Sequence, residues 1–227
     1  MAALDHLVVL AHTLDQGVAW CEKTLGVTPG PGGEHPLMGS HNRLLRIDST
    51  AFPRVYLEII AINSVSSSAL PVGSKRWFDM DNELLQKLVQ QTGPQLIHWV
   101  ARVPDVHCAL QGLKPLGIDC GKVVEASRGT PAGLLKWQIT VRADGQRLFD
   151  GCLPALIQWD GPHPTDNMAH SGLKLGSFHL AHPSGAELKT AFQTIGLNGL
   201  KLRSGPASIH AMLQTPNGVV QLKNKSI

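Results

Sequence analysis

A short apolar stretch with a histidine at its centre occurs twice in this chain, and the residues that follow it repeat as well. Leu4–Leu10 alternates in the manner of a strand with His6 in its middle, and Leu96–Arg102 does the same with His98. After Leu10, Thr13 or Asp15 can cap a helix through Val18, Trp20, Cys21 and Leu25, which Gly26 ends. A Gly- and Pro-rich stretch, Pro29–Gly33, leads to two strand-like runs, Asn42–Ile47 and Val55–Ile62. After Arg102, Asp105 can cap a helix over Val106, Leu110 and Leu113 that ends at Leu116-Gly117. Strands are expected at Lys122–Glu125, Leu134–Val141 and Pro154–Trp159. A looser third copy sets Ala181-His182 where Ala11-His12 stands, and Ile195-Gly196 where Leu25-Gly26 stands. Its strands are Leu200–Arg203, Ile209–Gln214 and Val219–Leu222, the last two joined by a Pro216-Asn217-Gly218 turn. Units of this size cannot bury an apolar face alone and must pack on their copies.

The expected organisation is α+β. A first βαβββ module occupies 1–62, a connector with a short helix near Asn82–Gln90 occupies 63–93, and a second module occupies 94–160. A linker at 161–172 then leads to a degenerate βαβββ-like module at 173–227. Hydrophobic residues make up 43% of the 227 and charged residues 16%, which is a globular composition. The net charge of +3 is spread without a basic run, so neither nucleic acid nor a membrane surface is an expected partner. No apolar stretch approaches the ~20 residues that span a bilayer. The start, Met-Ala-Ala-Leu-Asp-His, lacks a positive leader region, and a cytoplasmic location is expected. Cys21, Cys108, Cys120 and Cys152 form no Cys-x-x-Cys pair and read as reduced core thiols.

Residues two apart in a strand share a face, so Leu4, His6 and Val8 are expected to point one way, as are Tyr56, Glu58 and Ile60. A polar group in the middle of an apolar strand needs a partner, because burying a charge without one costs several kcal/mol. Each of the first two modules closes on a strand with a polar residue at its centre, Glu58 in the first and Gln158 in the second. His6, Glu58, His98 and Gln158 therefore read as a candidate shell for a divalent metal (Zn, Ni, Mn or Fe(II)). The third copy has Gly176 and Gln221 at the corresponding positions, which leaves it a structural role, covering a sheet edge or making a contact in a homodimer.

The opening Leu-Asp-His-Leu-Val-Val and the closing Tyr-Leu-Glu-Ile-Ile resemble the metal-bearing strands of the vicinal-oxygen-chelate superfamily. That group includes glyoxalase I, the bleomycin resistance proteins and the extradiol dioxygenases. Gly-Gly-Glu-His-Pro-Leu-Met-Gly-Ser-His-Asn-Arg-Leu-Leu at 32–45 resembles a glyoxalase-like group within it. The resemblance covers about residues 4–160 and implies paired modules curved around a metal, with ligands on the first and last strand of each. It implies a lyase, isomerase or dioxygenase acting on a small oxygenated or anionic molecule by bidentate chelation to that metal. An amide at Gln158 cannot be the base that glyoxalase I uses at this place.

Beyond the quartet, His35 is the candidate acid or base, given an imidazole pKa of about 6.5. Asn42 flanks the same Gly-rich turn, and Arg76 beside Trp77 could clamp a carboxylate and stack its body. Arg128, just before the strand with Trp137, could bind an anion at the cup mouth. Trp77, Trp99, Trp137 and Trp159 would suit an aromatic-lined cavity. His163, His170, His179, His182 and His210 show no ligand spacing and read as structural. Three functions stay open at this point: a metal-dependent enzyme, a non-catalytic module that sequesters a small molecule, and a structural partner.

Overall fold

The computed structural model describes residues 1–64, 70 and 72–224. Residues 65–69, 71 and 225–227, within the expected connector and third module, lie outside the described residues. The first module contains β1 (Ala3–Leu10), α1 (Leu14–Trp20), β2 (Gly30–His35), β3 (Ser40–Arg46) and β4 (Tyr56–Ile62). The connector contributes α2 (Glu83–Thr92). The second module contains β5 (Gln95–Arg102), α3 (Val106–Leu113), β6 (Lys122–Thr130), β7 (Gly133–Val141) and β8 (Ala155–Trp159). The third contains β9 (Lys174–Ala181), α4 (Gly185–Thr194), β10 (Lys201–Arg203), β11 (Ser208–Thr215) and β12 (Gly218–Lys223).

The helix starts follow from their caps. Thr13 accepts the Gln16 N–H at 3.1 Å, Asn82 that of Leu85 at 3.0 Å and Asp105 that of Cys108 at 2.9 Å. Strand β2 forms in the Gly- and Pro-rich stretch and supplies the remaining strand of the βαβββ pattern. Glycine makes it possible, because a Cβ on Gly32 would run into the Asn42 carbonyl of β3.

The first two modules form one sheet in the order β2-β3-β4-β1-β5-β8-β7-β6. β1 and β5 pair antiparallel at its centre, and each closing strand, β4 or β8, runs parallel to its opening strand. The two edge strands meet, with Arg128 of β6 lying against Gly33 of β2, so the sheet curls into a cup. Val8, Ile60, Val100, Trp137 and Ile157 face into the cup; Leu7, Val9, Leu57, Ile59 and Trp99 face the outer core.

The connector plugs one half of the cup. Trp77, Phe78, Met80, Leu85 and Val89 are buried in its apolar lining, and Phe78 sits over His98 with ring centres 5.0 Å apart. Burying such side chains is worth roughly 1.5–3 kcal/mol each, so this segment belongs to the core. The Arg147–Asp79 ion pair at 2.8 Å fastens it, and Arg76–Asp81 at 2.6 Å braces it internally.

The third module forms a separate sheet, β10-β9-β11-β12, which packs on the outer face of the large one. Trp99 projects into that interface, edge-on to Phe178 at 5.3 Å and Phe192 at 5.9 Å, and donates to the Cys152 carbonyl at 3.1 Å. The expected edge cover is therefore replaced by face-on packing, which buries Leu175, Phe178 and Leu188 as no edge contact could. Trp99 consequently does not line the cup.

Candidate functional site

A bulge in β1 shapes the site. The β1–β5 register slips between Leu4 and His6, and Asp5 has no partner across the ladder. Leu4 therefore faces the outer core while His6 and Val8 turn into the cup, overturning the expectation that all three share a face. Asp5 comes to lie beside His6, with Oδ1 2.7 Å from Nδ1. Its Oδ2 accepts from Trp159 Nε1 at 3.0 Å and from His163 Nε2 at 3.0 Å. The Thr165 N–H donates to His163 Nδ1 at 3.2 Å, so the His163 proton sits on Nε2 and points at Asp5. Burial acts to raise the Asp5 carboxyl, but the hydrogen bonds and charge of His163 and His6 outweigh it and hold the group well below the usual carboxylate range.

His6 stacks on Tyr56, ring centres 4.4 Å apart, and its Nε2 stands 3.6 Å from Glu58 Oε2. The other Glu58 oxygen accepts from Asn42 Nδ2 at 2.6 Å. Asn42 Oδ1 in turn accepts from the Gly33 N–H at 2.8 Å and from Arg128 at 3.4 Å. Asn42, expected to contact substrate, has both ends engaged and works as the hub that orients Glu58. His35 lies 3.5 Å from Asn42 Nδ2 and 3.3 Å from Ser40 Oγ. Loss of water around its ring, helped by Arg128 and opposed by Glu58, pushes its pKa down to about 4.

The second module has the same frame without the same site. Both His98 nitrogens are taken by backbone, Nδ1 against the Gly151 carbonyl at 3.2 Å and Nε2 against the Ala155 N–H at 3.1 Å. Burial, with Arg147 nearby, pushes its pKa down to about 3. Gln158 does not face the cup. Leu156 and Ile157 fall in the outer and cup cores respectively, so Gln158 shares the outer side, where its Oε1 accepts the Val106 N–H of α3 at 2.9 Å. The register identifies the true counterpart of Glu58. Glu58 pairs with Val8, and the residue paired with the equivalent Val100 is Ala155.

The four-residue metal shell is therefore not assembled. Among the described residues no three His, Cys, Asp or Glu side chains converge on one point, and of the quartet only His6 Nε2 and Glu58 Oε2 meet. A zinc ion takes three or four protein donors, and the two that meet here do not make such a site.

One small hollow opens on His6 and Glu58, and a larger groove adjoins it. A small inner pocket of about 30 Å³ is lined by His6, Asn42, Glu58, Trp77 and Arg128. It shares the walls His35, Trp77, Trp137 and Trp159 with an outer groove of about 660 Å³. Trp137, whose ring lies 5.5 Å from that of Trp159, stands where both hollows meet. Trp77 Nε1 and Arg128 Nε are buried and have no hydrogen-bond partner among the described residues. Arg76, expected as a clamp, is consumed by Asp81 and by the Gly39 carbonyl at 3.4 Å, and so docks the connector. Asp5 and His163 were missed in the sequence. Asp5 was visible as a charge in an apolar strand, whereas His163 arrives from a residue 158 positions away with no local signal.

Residues 4–196 match the family described as Glyoxalase-like domain. No curated protein matches the chain in sequence. Among solved structures, a hypothetical protein from Staphylococcus aureus superposes with a TM-score of 0.56 at 14% identity, covering 98% of this chain and 85% of that one. The methylmalonyl-CoA epimerase of Mycobacterium tuberculosis gives 0.42 at 17% identity, covering 72% of this chain and 91% of that one.

Proposed function

The chain belongs to the glyoxalase-like domain family within the vicinal-oxygen-chelate superfamily, and from that premise we propose that it moves a proton on a small oxygenated molecule, as an isomerase or lyase does, through His6 and Glu58. The observation that carries this reading is the buried Asp5–His6–Glu58 chain opening on a pocket with two unpartnered donors. Asp5 fixes the ring of His6 and stabilises its imidazolium, the part a carboxylate takes behind a general-base histidine. Glu58, oriented by Asn42, offers Oε2 to an acidic C–H beside a carbonyl. The C–H electron pair moves onto the carbonyl oxygen as an enolate, facing the Arg128 and Trp77 N–H groups. The proton taken by Glu58 passes to His6 or returns to a neighbouring carbon, so the step is redox-neutral and balanced. His35, held neutral near pH 7, acts as a wall and a buttress to Asn42 rather than as the base.

Deuterium exchange into small uncharged ketones, followed by NMR, tests this reading. Wild-type protein should exchange the proton next to the carbonyl, and His6→Ala and Glu58→Gln should each lose at least about 100-fold of that rate. Equal exchange in wild type and Glu58→Gln sinks it. Stoichiometric metal in protein purified without chelator or tag, lost in His6→Ala, would return the metal-dependent reading to the front.

A second reading is a non-catalytic binder of the same fold. It draws on the size and Trp-rich wall of the outer groove, which falls in the range of small-molecule sites. It predicts ligands recovered unchanged and no exchange in any variant.

A further inference from the structure

We propose that the inner pocket takes an uncharged carbonyl group, with Trp77 Nε1 and Arg128 Nε as its donors, and that the site rejects carboxylates. This rests on the proton-transfer reading of the same site and names the substrate class within it.

Three observations lead there. First, buried donors without partners are rare in folded proteins and are met by water or ligand. Trp77 is 8% exposed, its Nε1 is unpartnered, and its ring lines both the inner pocket and the groove. Arg128, whose Nε is the second such atom, lines the same pocket. Both want an acceptor oxygen.

Second, the charges around the pocket leave no room for an anion. Asp5 and Glu58 are carboxylates, Arg128 is the fixed cation, and His6 lies between the two carboxylates. Even with His6 protonated, the two positive groups only balance the two negative ones. A bound carboxylate would add an unmatched charge in a buried place, at a cost of several kcal/mol. A neutral carbonyl satisfies the donors and leaves the balance unchanged.

Third, size limits the head. A cavity needs roughly 10–15 Å³ to hold one water, so about 30 Å³ suits a small head such as a carbonyl and an adjoining carbon. The body of the molecule then lies in the groove along Trp137 and Trp159. The substrate class is an enolisable, uncharged carbonyl compound on a flat apolar body.

Binding of three probes built on one phenyl body tests this apart from any turnover: acetophenone, benzoate and ethylbenzene, followed by tryptophan fluorescence or ligand-detected NMR. Acetophenone should bind about 10-fold or more tighter than either of the others, the worth of one or two hydrogen bonds. Trp77→Phe should lower the advantage of acetophenone over ethylbenzene. Arg128→Lys keeps the charge and removes the Nε donor, so it too should lower that advantage. Benzoate binding as tightly as acetophenone, or no difference between acetophenone and ethylbenzene, overturns the proposal. Because the readout is binding, the preference survives if His6→Ala and Glu58→Gln leave exchange untouched, and the two failures remain distinguishable.

Discussion

The two central modules share strand order, helix caps and a histidine at the same place in the opening strand, yet they have gone separate ways. In the first, His6 keeps Nε2 directed at Glu58 and a pocket. In the second, His98 spends both nitrogens on backbone and lies under Phe78. The carboxylate position of the first is an alanine in the second, Ala155. The first half holds the candidate site; in the second a hollow of about 40 Å³ beside His98 is walled by Trp77 and Phe78 of the connector, and the ring nitrogens that line it are already bonded to backbone. A repeated residue is thus no guide to a repeated role; what its atoms are bonded to decides.

The largest expected effect lies at the joint of the working half. Asp5→Ala leaves the donors of His6, His163 and Trp159 facing each other in a buried place, and breaking such a pair costs about 3–5 kcal/mol. Urea unfolding should report that loss together with the loss of deuterium exchange. A variant as stable as wild type would mean that Asp5 is not the centre of the network.

His98→Leu sets the halves directly against each other. It strands the Gly151 carbonyl and the Ala155 N–H, so stability should fall by about 2–3 kcal/mol while exchange at the first-module site stays within about threefold. His6→Leu should do the reverse, with exchange abolished at a smaller stability cost. Loss of exchange in His98→Leu at unchanged stability would break the comparison.

The pH dependence of stability separates them further. His98 and His35 have folded pKa values of about 3 and about 4, below the ordinary 6.5. The unfolded chain therefore binds more protons between pH 6.5 and those values, and stability, full above 6.5, declines as pH falls through that window. His98 alone contributes a slope of about 1.4 kcal/mol per pH unit. Asp5 behaves as a depressed carboxylate, with its contribution present above 3.8 and lost as pH falls below it. Chemical denaturation from pH 8 to pH 4 should show a shallower decline in His98→Leu than in wild type. Parallel curves would mean that His98 is not held neutral by the fold.

Much of this was legible in the chain because it rests on local rules. The cap at Asp105, the choice of Thr13 or Asp15 for the first helix, the recurring strands, and the placing of His6, Asn42 and Glu58 in one module all follow from pattern and period. What escaped was register and distance. Taking Gln158 as the partner of Glu58 was three residues out, and an odd slip in a strand sends a side chain to the other face. The Asp5 bulge breaks alternation in the one strand where it mattered most. The clamp expected of Arg76 is forestalled by Asp81, five residues on, a pairing that no sequence period signals. His163 depends on a linker folding back over both modules, which Arg54–Asp166 at 2.9 Å and the Arg46 contact to the Thr165 carbonyl hold down.

The smallest effect should come from the seam where the cup closes. Gly33 of the first module leaves the space that the Arg128 side chain of the second crosses, and a methyl group there would meet Arg128 at Cδ and the guanidinium. Arg128 is long and flexible, so Gly33→Ala should move it off Asn42 without disturbing the backbone. The stability change should stay under about 1 kcal/mol, since the loss of one strained contact is offset by a stiffer unfolded chain. Affinity for acetophenone should nevertheless fall roughly three- to tenfold, the worth of one hydrogen bond, while affinity for ethylbenzene holds. If both probes weaken equally, the seam shapes the groove and not the donor. If neither changes, Arg128 Nε reaches the pocket from another path and the contribution of the second module to the site is smaller than its position against Gly33 implies.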